Sequence, residues 1–381
     1  MFSFRTTPLL EQEDTTLRRG RIAVLDDETA WHPQTGEYLG YTLARYRNVV
    51  RLKSLDWEDA AVRNTLSRCD GVVIEHQGTG NRFDPFLKQL RAFFLEQNRA
   101  ENPLSIYLID RLNPSGRCVE GCHYDGLPHK HGLTMGEIAN MYYSEMNAKF
   151  PLHIISAAAN DAANEIMPWS IPQECGFGSL FSADFISGAT LWQGTNVSCG
   201  IGTIRPYEMF GAPFMARLER GQGESLGASQ AGLLSLMGGD DEARFVRGRD
   251  FVWDNALTWN DIDSPVYDKG VYMRWCRFTP RYGLYAGQEC CGFQMIPNPG
   301  EPSYNCLLHT LRLIRFVKET CQEFEFNSRI DSLAGSDTAM QYLRGEIDYA
   351  ALCEFIKGEE QKWLRKAKKY LLYDEPLYRV K

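Results

Sequence analysis

Five short apolar runs, separated by helical patterns, constrain this chain more than any other feature. Ile22–Leu25, Val49–Leu52, Val72–Ile74, Ile106–Ile109 and His153–Ile155 are nearly continuous in apolar character. Strands covered by helices on both faces of a parallel sheet read this way, whereas a half-solvated strand alternates apolar and polar residues. Two helices between the runs carry their own start signals. Asp84-Pro85 offers a cap and a proline at the first helical position, and Phe86, Leu87, Leu90, Phe93 and Phe94 follow at helical spacing. Thr134-Met-Gly-Glu137 has the spacing of a capping box. Strand and helix in alternation predict an α/β fold with a doubly wound sheet.

The texture changes near Met167, where Gly, Pro, Ser and Asn become frequent through Pro213. A strand is expected at Val271–Cys276, and helices at Ser303–Phe324 and Tyr349–Tyr370. The basic end of the last helix, Lys366, Lys368 and Lys369, is a binding patch or, the preferred reading, complements the negative end of a helix dipole. The expected division is a sheet domain over 1–160 and a mixed α+β domain over 161–381. A length of 381 residues suits two domains and large cores.

Composition removes several classes of function. A net charge of -8 argues against a general nucleic-acid or anionic-membrane binder, which needs a surplus of Lys and Arg. Charges at Arg5, Glu11, Glu13 and Asp14 interrupt the N-terminus, so no signal core is expected there. The longest uncharged stretch, Phe185 to Ile204, is too rich in Gly, Ser, Thr, Asn and Gln for a membrane span. Eleven cysteines without framework spacing suit reduced thiols, and a cytoplasmic location is expected.

Ligands of a doubly wound sheet bind beyond the carboxyl ends of its strands. Three polar clusters fall there. They are Asp26–Thr29, Glu75-His76-Gln77 through Arg82, and Asp110-Arg111-Leu112-Asn113-Pro114. No glycine-rich phosphate loop follows the first strand, so no dinucleotide is expected. Asp, Arg and Asn at strand ends bind sugar hydroxyls or carboxylates, or they pair with one another and cap loops. His123, His129 and His131 suggest a metal only if Glu137 leaves its capping role, and no HExxH spacing supports one. Farther on, Trp192 through Pro206 is a glycine-rich loop. Its backbone can approach a ligand and its tryptophan can stack on a sugar, or it is a tight loop over a buried tryptophan.

In this order, these segments resemble motifs of the exo-β-N-acetylmuramidase family. Ile74-Glu75-His76-Gln77 through Arg82-Phe83 resembles the family's strand-end motif. Asp110-Arg111-Leu112-Asn113-Pro114 through Val119-Glu120-Gly121 is similar to its "DRPNP-GG-VEG" motif, and His131 through Ala139 to "HGMTIGELA". Gln193 through Glu208, then Phe210–Phe214, resembles "EGTNVSEGRGTTRPFE-FGAPW". Ser332–Asp337 and Lys369–Tyr373 resemble the closing pattern. The likeness runs from about Arg19 to Tyr373. It implies a Rossmann-like domain, a second mixed domain, a sugar or muropeptide ligand, release of terminal N-acetylmuramic acid in cell-wall recycling, and no cofactor.

The departures concern acids. The family's "FGPEHGF" segment has no counterpart between Val50 and Cys69, and family glutamates are replaced by Gln193 and Cys199. Glycoside hydrolysis generally needs two carboxyl groups about the scissile bond, and a glutamine cannot serve as either. The resemblance leaves Glu75 and Asp110 as candidate catalytic carboxylates. His76, Gln77, Arg82, Arg111, Asn113, Glu120, His131, Trp192, Gln193, Asn196, Ser198, Thr203, Arg205 and Glu208 are candidate substrate binders. Glu137 is expected to cap a helix, and Glu208 to pair with Arg205. Three readings follow: a divergent glycosidase, a catalytically impaired sugar or muropeptide binder, and a nucleotide-sugar enzyme supported by sheet topology alone.

Overall fold

The apolar runs become a parallel sheet. In the computed structural model, β1 (Ile22–Leu25), β2 (Val49–Leu52), β3 (Gly71–Glu75), β4 (Ser105–Ile109) and β7 (Leu152–Ile155) pair in the order β2-β1-β3-β4-β7. Every pairing is parallel. The structure describes residues 19–25, 43–45, 49–111, 113–155, 179–220, 264, 266–298, 300–301 and 304–373. The Asp26–Thr29 cluster, the 167–178 stretch and most of 216–268 lie outside them.

Side chains of the strands point alternately to the two faces. Val72, Ile74, Ile106 and Leu108 join the larger core, against Leu87, Leu90, Phe93 and Phe94 of helix α2 (Pro85–Arg99) and Ile138 and Ala139 of α3 (Met135–Glu145). Ile22, Val24, Val73 and Tyr107 form a second cluster with Ile109 and Ile155 packed against it. Burial on both faces explains why the runs lack alternation. The short helix α1 (Ala60–Leu66) contributes Val62 and Leu66 to the larger core.

The strand order places β1 between β2 and β3. The chain leaves β1 to one side and returns to the other, and ligand crevices form at such a reversal. Glu75 ends β3 there, and Asp110 directly follows β4. A two-stranded hairpin, β5 (Val119–Glu120) with β6 (Lys130–His131), precedes α3.

Contacts divide the described chain into two units, residues up to 183 with those from 357 onward, and residues 184–356. Residues 357–373 thus pack with the first unit, although chain order alone placed them with the second. Trp363 and Ala367 belong to the larger core. The second unit holds an antiparallel sheet, β8-β10-β9, from β8 (Met209–Ala212), β9 (Val271–Phe278) and β10 (Cys290–Pro297). Helices follow at α6 (Cys306–Thr320), α7 (Ile330–Ala334), α8 (Asp337–Arg344) and α9 (Tyr349–Ala367), after α4 (Leu180–Ala189) and α5 (Ala216–Arg220) earlier in the chain. Among the described residues, no helix is long and apolar enough to cross a membrane, and every cysteine is a free thiol.

Candidate functional site

Each candidate in the first unit is placed by a strand end or by the loop that follows it. Glu75 is 7% exposed and forms an ion pair with Arg111 at 2.5 Å. The adjacent strand end is built differently. The Oδ1 atom of Asp110 accepts from the backbone N–H of Arg111 at 2.9 Å and of Gly136 at 2.7 Å. Its Oδ2 accepts from the Thr134 hydroxyl at 2.6 Å and the Tyr373 hydroxyl at 2.7 Å.

Four donors therefore hold Asp110, and two of them, Thr134 and Gly136, tie it to the first turn of α3, where the helix dipole favours negative charge. Burial pushes its carboxyl up to about 6, against the pull of the hydrogen bonds from Thr134, Gly136 and Tyr373. Only glycine fits at 136, because a Cβ there would lie 2.5 Å from Asp110 Oδ2. Asp110, expected as a second catalytic carboxylate, has both oxygens engaged in this way. Its lone pairs are taken up by the fold, so it anchors a strand end to a helix.

Glu137 completes the expected capping box with Thr134. It also pairs with Arg117, whose Nη2 lies 2.9 Å from Oε1, and accepts from Leu372 N at 3.1 Å. Glu120 and Lys130 form a buried ion pair at 2.6 Å across the hairpin. Both acids serve the fold.

Asp84 caps α2 by accepting from Phe86 N at 3.0 Å, and it accepts from Thr79 N at 3.2 Å. His76 Nε2 lies 3.2 Å from the same carboxylate, with the imidazole stacked on Phe86 at 4.2 Å. Burial would raise the Asp84 carboxyl, but His76 and the backbone donors outweigh it and hold it below the usual range. Gln77 is buried and donates to Gly78 O at 3.2 Å. The guanidinium of Arg82 lies 4.8 Å from both the Phe83 and Tyr124 rings and 3.1 Å from His129 Nε2, and burial lowers it to about 10. Asn113 bridges its loop, donating to Leu133 O at 3.0 Å and accepting from Ser115 N at 2.8 Å.

His131 is buried, and burial lowers its imidazole to about 4. Its Nδ1 lies 3.2 Å from Leu133 N and accepts that hydrogen. A neutral ring accepting at Nδ1 carries its proton at Nε2. Trp363 fixes the strand behind it by donating to His131 O at 2.8 Å. Arg111, Asn113, His131 and Asp84 line a small pocket beyond the ends of β3 and β4, together with Gly78, Gly80, Leu133 and Met135. Thus the pocket gathers candidates from two separate motifs and glycines from a third. Leu133, Met135 and Tyr373 were not singled out as site residues, although all three lie inside the motifs that carried the resemblance. Among the described residues, no cluster of three or more His, Cys, Asp or Glu side chains is placed to hold a metal ion.

The second unit uses its loop residues on one another. Trp192 is 0% exposed and stacked on Phe210 at 4.5 Å, so neither ring face can receive a sugar. Stacking by Trp192 is thereby corrected to core packing. Asn196 donates to Glu323 O at 2.6 Å and accepts from Glu325 N at 3.0 Å. Ser198 Oγ accepts from Gly200 N at 3.2 Å. Thr203 donates to Gly200 O at 2.6 Å and accepts from Arg205 N at 3.0 Å. Gly202 sits at φ +89, and a Cβ there would lie 2.2 Å from Tyr282 O.

Glu208 is buried and pairs with Arg205 at 2.9 Å, the pairing expected from sequence. Gln193 accepts from Arg329 at 3.1 Å, and its amide lies 3.5 Å from the Tyr207 hydroxyl. Arg329 was missed, because nothing local links positions 136 residues apart. The Cys199 thiol is buried, which pushes it up to about 11, far from a reactive thiolate.

Comparison with known proteins gives a consistent result. The family model for the N-terminal part of the exo-β-N-acetylmuramidase NamZ matches residues 48–172, and the model for its C-terminal part matches 258–373. The peptidoglycan β-N-acetylmuramidase NamZ of Bacillus subtilis strain 168 is 25% identical over 335 residues, covering 81% of this chain and 68% of its own. Two solved DUF1343 family proteins of Bacteroides fragilis share the fold. One has a TM-score of 0.66 at 17% identity over 94% of this chain and 95% of its own. The other has a TM-score of 0.64 at 16% identity, over 93% and 94%.

Proposed function

This chain belongs to the exo-β-N-acetylmuramidase NamZ family, and from that premise we propose that it recognises terminal N-acetylmuramic acid on peptidoglycan fragments without hydrolysing it efficiently. The observation that carries the second half is the state of Asp110. A two-carboxylate mechanism needs two carboxyl groups free to face the scissile bond. Asp110 is held by four donors inside the fold. Gln193 and Cys199, at the matched positions of family glutamates, supply no replacement carboxylate.

Recognition rests on the pocket. Arg111, Asn113 and His131 converge beyond β3 and β4, where parallel sheets bind ligands. Calorimetric titration of the purified chain with N-acetylmuramic acid is expected to show saturable binding. No heat and no thermal stabilisation at millimolar ligand would end this reading.

A second reading, slow hydrolysis through Glu75, is favoured by one observation. Glu75 ends its strand in an ion pair with the pocket residue Arg111. Turnover of a chromogenic N-acetylmuramic acid glycoside that disappears in Glu75→Gln would establish it.

A further inference from the structure

The small pocket of the first unit is lined by both polar and apolar side chains, and the two kinds together select a chemical group. His131 is 4% exposed and lines the pocket. Its Nδ1 accepts from Leu133 N, which leaves Nε2–H as the donor to be satisfied. Gly78 and Gly80 line the same space. Their carbonyls are already engaged, by the Gln77 amide at 3.2 Å and by His131 N at 3.3 Å. The apolar side chains of Leu133 and Met135 line the same space, with Met135 next to Gly78.

Charge decides against an anion as occupant. Asp84 lines the pocket, and Glu75 sits 2.5 Å from Arg111. An incoming carboxylate would meet two acidic groups and would have to share one guanidinium with Glu75. A neutral acceptor meets no such repulsion. The pocket is small and partly open, which suits a substituent of a sugar. We infer that this pocket receives the acetamido group of a 2-acetamido sugar. The carbonyl oxygen accepts from His131 Nε2–H, and the methyl lies against Leu133 and Met135.

This deepens the reading of the chain as a muramic-acid binder and rests on it. Burial keeps the His131 ring neutral down to about pH 4, so the donor persists across the physiological range. A directed hydrogen bond and one buried methyl together are worth roughly tenfold in affinity or more.

The test compares N-acetylmuramic acid with the 3-O-carboxyethyl ether of glucose, which has a hydroxyl in place of the acetamide and the same charge. Calorimetry on the full chain is expected to show the acetamido ligand binding about tenfold more tightly. In His131→Leu that ratio is expected to fall close to one. His131→Gln, which keeps a side-chain donor, is expected to restore part of it. If the histidine variants fail to fold, an N-propionyl analogue tests the apolar wall on the unmodified chain, with weaker binding expected. Equal affinity for the acetamido and hydroxyl ligands would overturn the acetamide assignment and leave muramic-acid recognition standing. Binding of neither ligand would overturn recognition itself.

Discussion

The strand ends of the first unit and the glycine-rich loop of the second both carry motifs of the family, and both are dense in polar side chains. Their polar groups meet different fates. In the loop, Asn196, Ser198, Thr203 and Glu208 bond to backbone or side chains of their own unit. At the strand ends, Asp110 does the same, but Arg111 and His131 line a pocket. A family motif can thus persist because it shapes a backbone, and persistence of a residue type does not by itself mark a ligand contact. The hydrogen-bond inventory separates the two cases, because a side chain whose donors and acceptors are all used has none left for a ligand.

The largest expected effect breaks the anchor at Asp110. Asp110→Ala strands four donors, two of them at the start of α3, and is predicted to cost about 3–5 kcal/mol. Urea unfolding reads the loss, and faster amide exchange in α3 is expected to accompany it. A loss near zero would mean that the carboxylate is not structural. Gly136→Ala attacks the same contact from the helix side and is predicted to cost about 1–3 kcal/mol, since the new methyl overlaps the carboxylate.

Next in size is a pH effect. Burial holds the Asp110 carboxyl at about 6, above its ordinary 3.8. The native state therefore keeps a proton that the unfolded chain releases between those values. The resulting stabilisation is full below about pH 4 and is lost as pH rises through 6, with a magnitude of about 3 kcal/mol. Burial of His131, lowered to about 4, contributes the opposite slope: stability is lost as pH falls from 6.5 through about 4. Asp110→Asn is expected to remove the first slope and expose the second. An unchanged pH–stability profile in Asp110→Asn would contradict the assignment.

Smaller effects sharpen the loop side of the comparison. Trp192→Phe is predicted to lower stability by roughly 1–2 kcal/mol with no change in ligand affinity, as befits core packing. A selective loss of affinity would return Trp192 to the ligand. Asn196→Ala, which releases the 323–325 backbone, is predicted to cost about 1 kcal/mol by thermal melting, again with affinity unchanged.

Much of the fold was legible in the sequence because its signals are local. The strands of the parallel sheet were read to within a residue, since each is a short apolar run covered on both faces. Asp84-Pro85 and the Thr134–Glu137 box placed two helix starts, because caps are fixed by residues three apart. The Arg205–Glu208 pair was legible for the same reason. What escaped has partners far away in the chain. Asp110 draws donors from Tyr373, 263 residues later, and from Gly136. Trp363, 232 residues beyond His131, fixes the strand from which that ring lines the pocket. The hairpin of β5 and β6 has two residues in each strand, too few to show a period.

The most direct test of the central claim is hydrolysis of para-nitrophenyl β-N-acetylmuramic acid by the purified chain, with N-acetylmuramic acid binding measured on the same preparation. The account predicts saturable binding and turnover no faster than in Glu75→Gln. Efficient turnover that falls in Asp110→Asn, with α3 still protected from exchange, would show a working carboxylate where the structure places an anchor, and would contradict it.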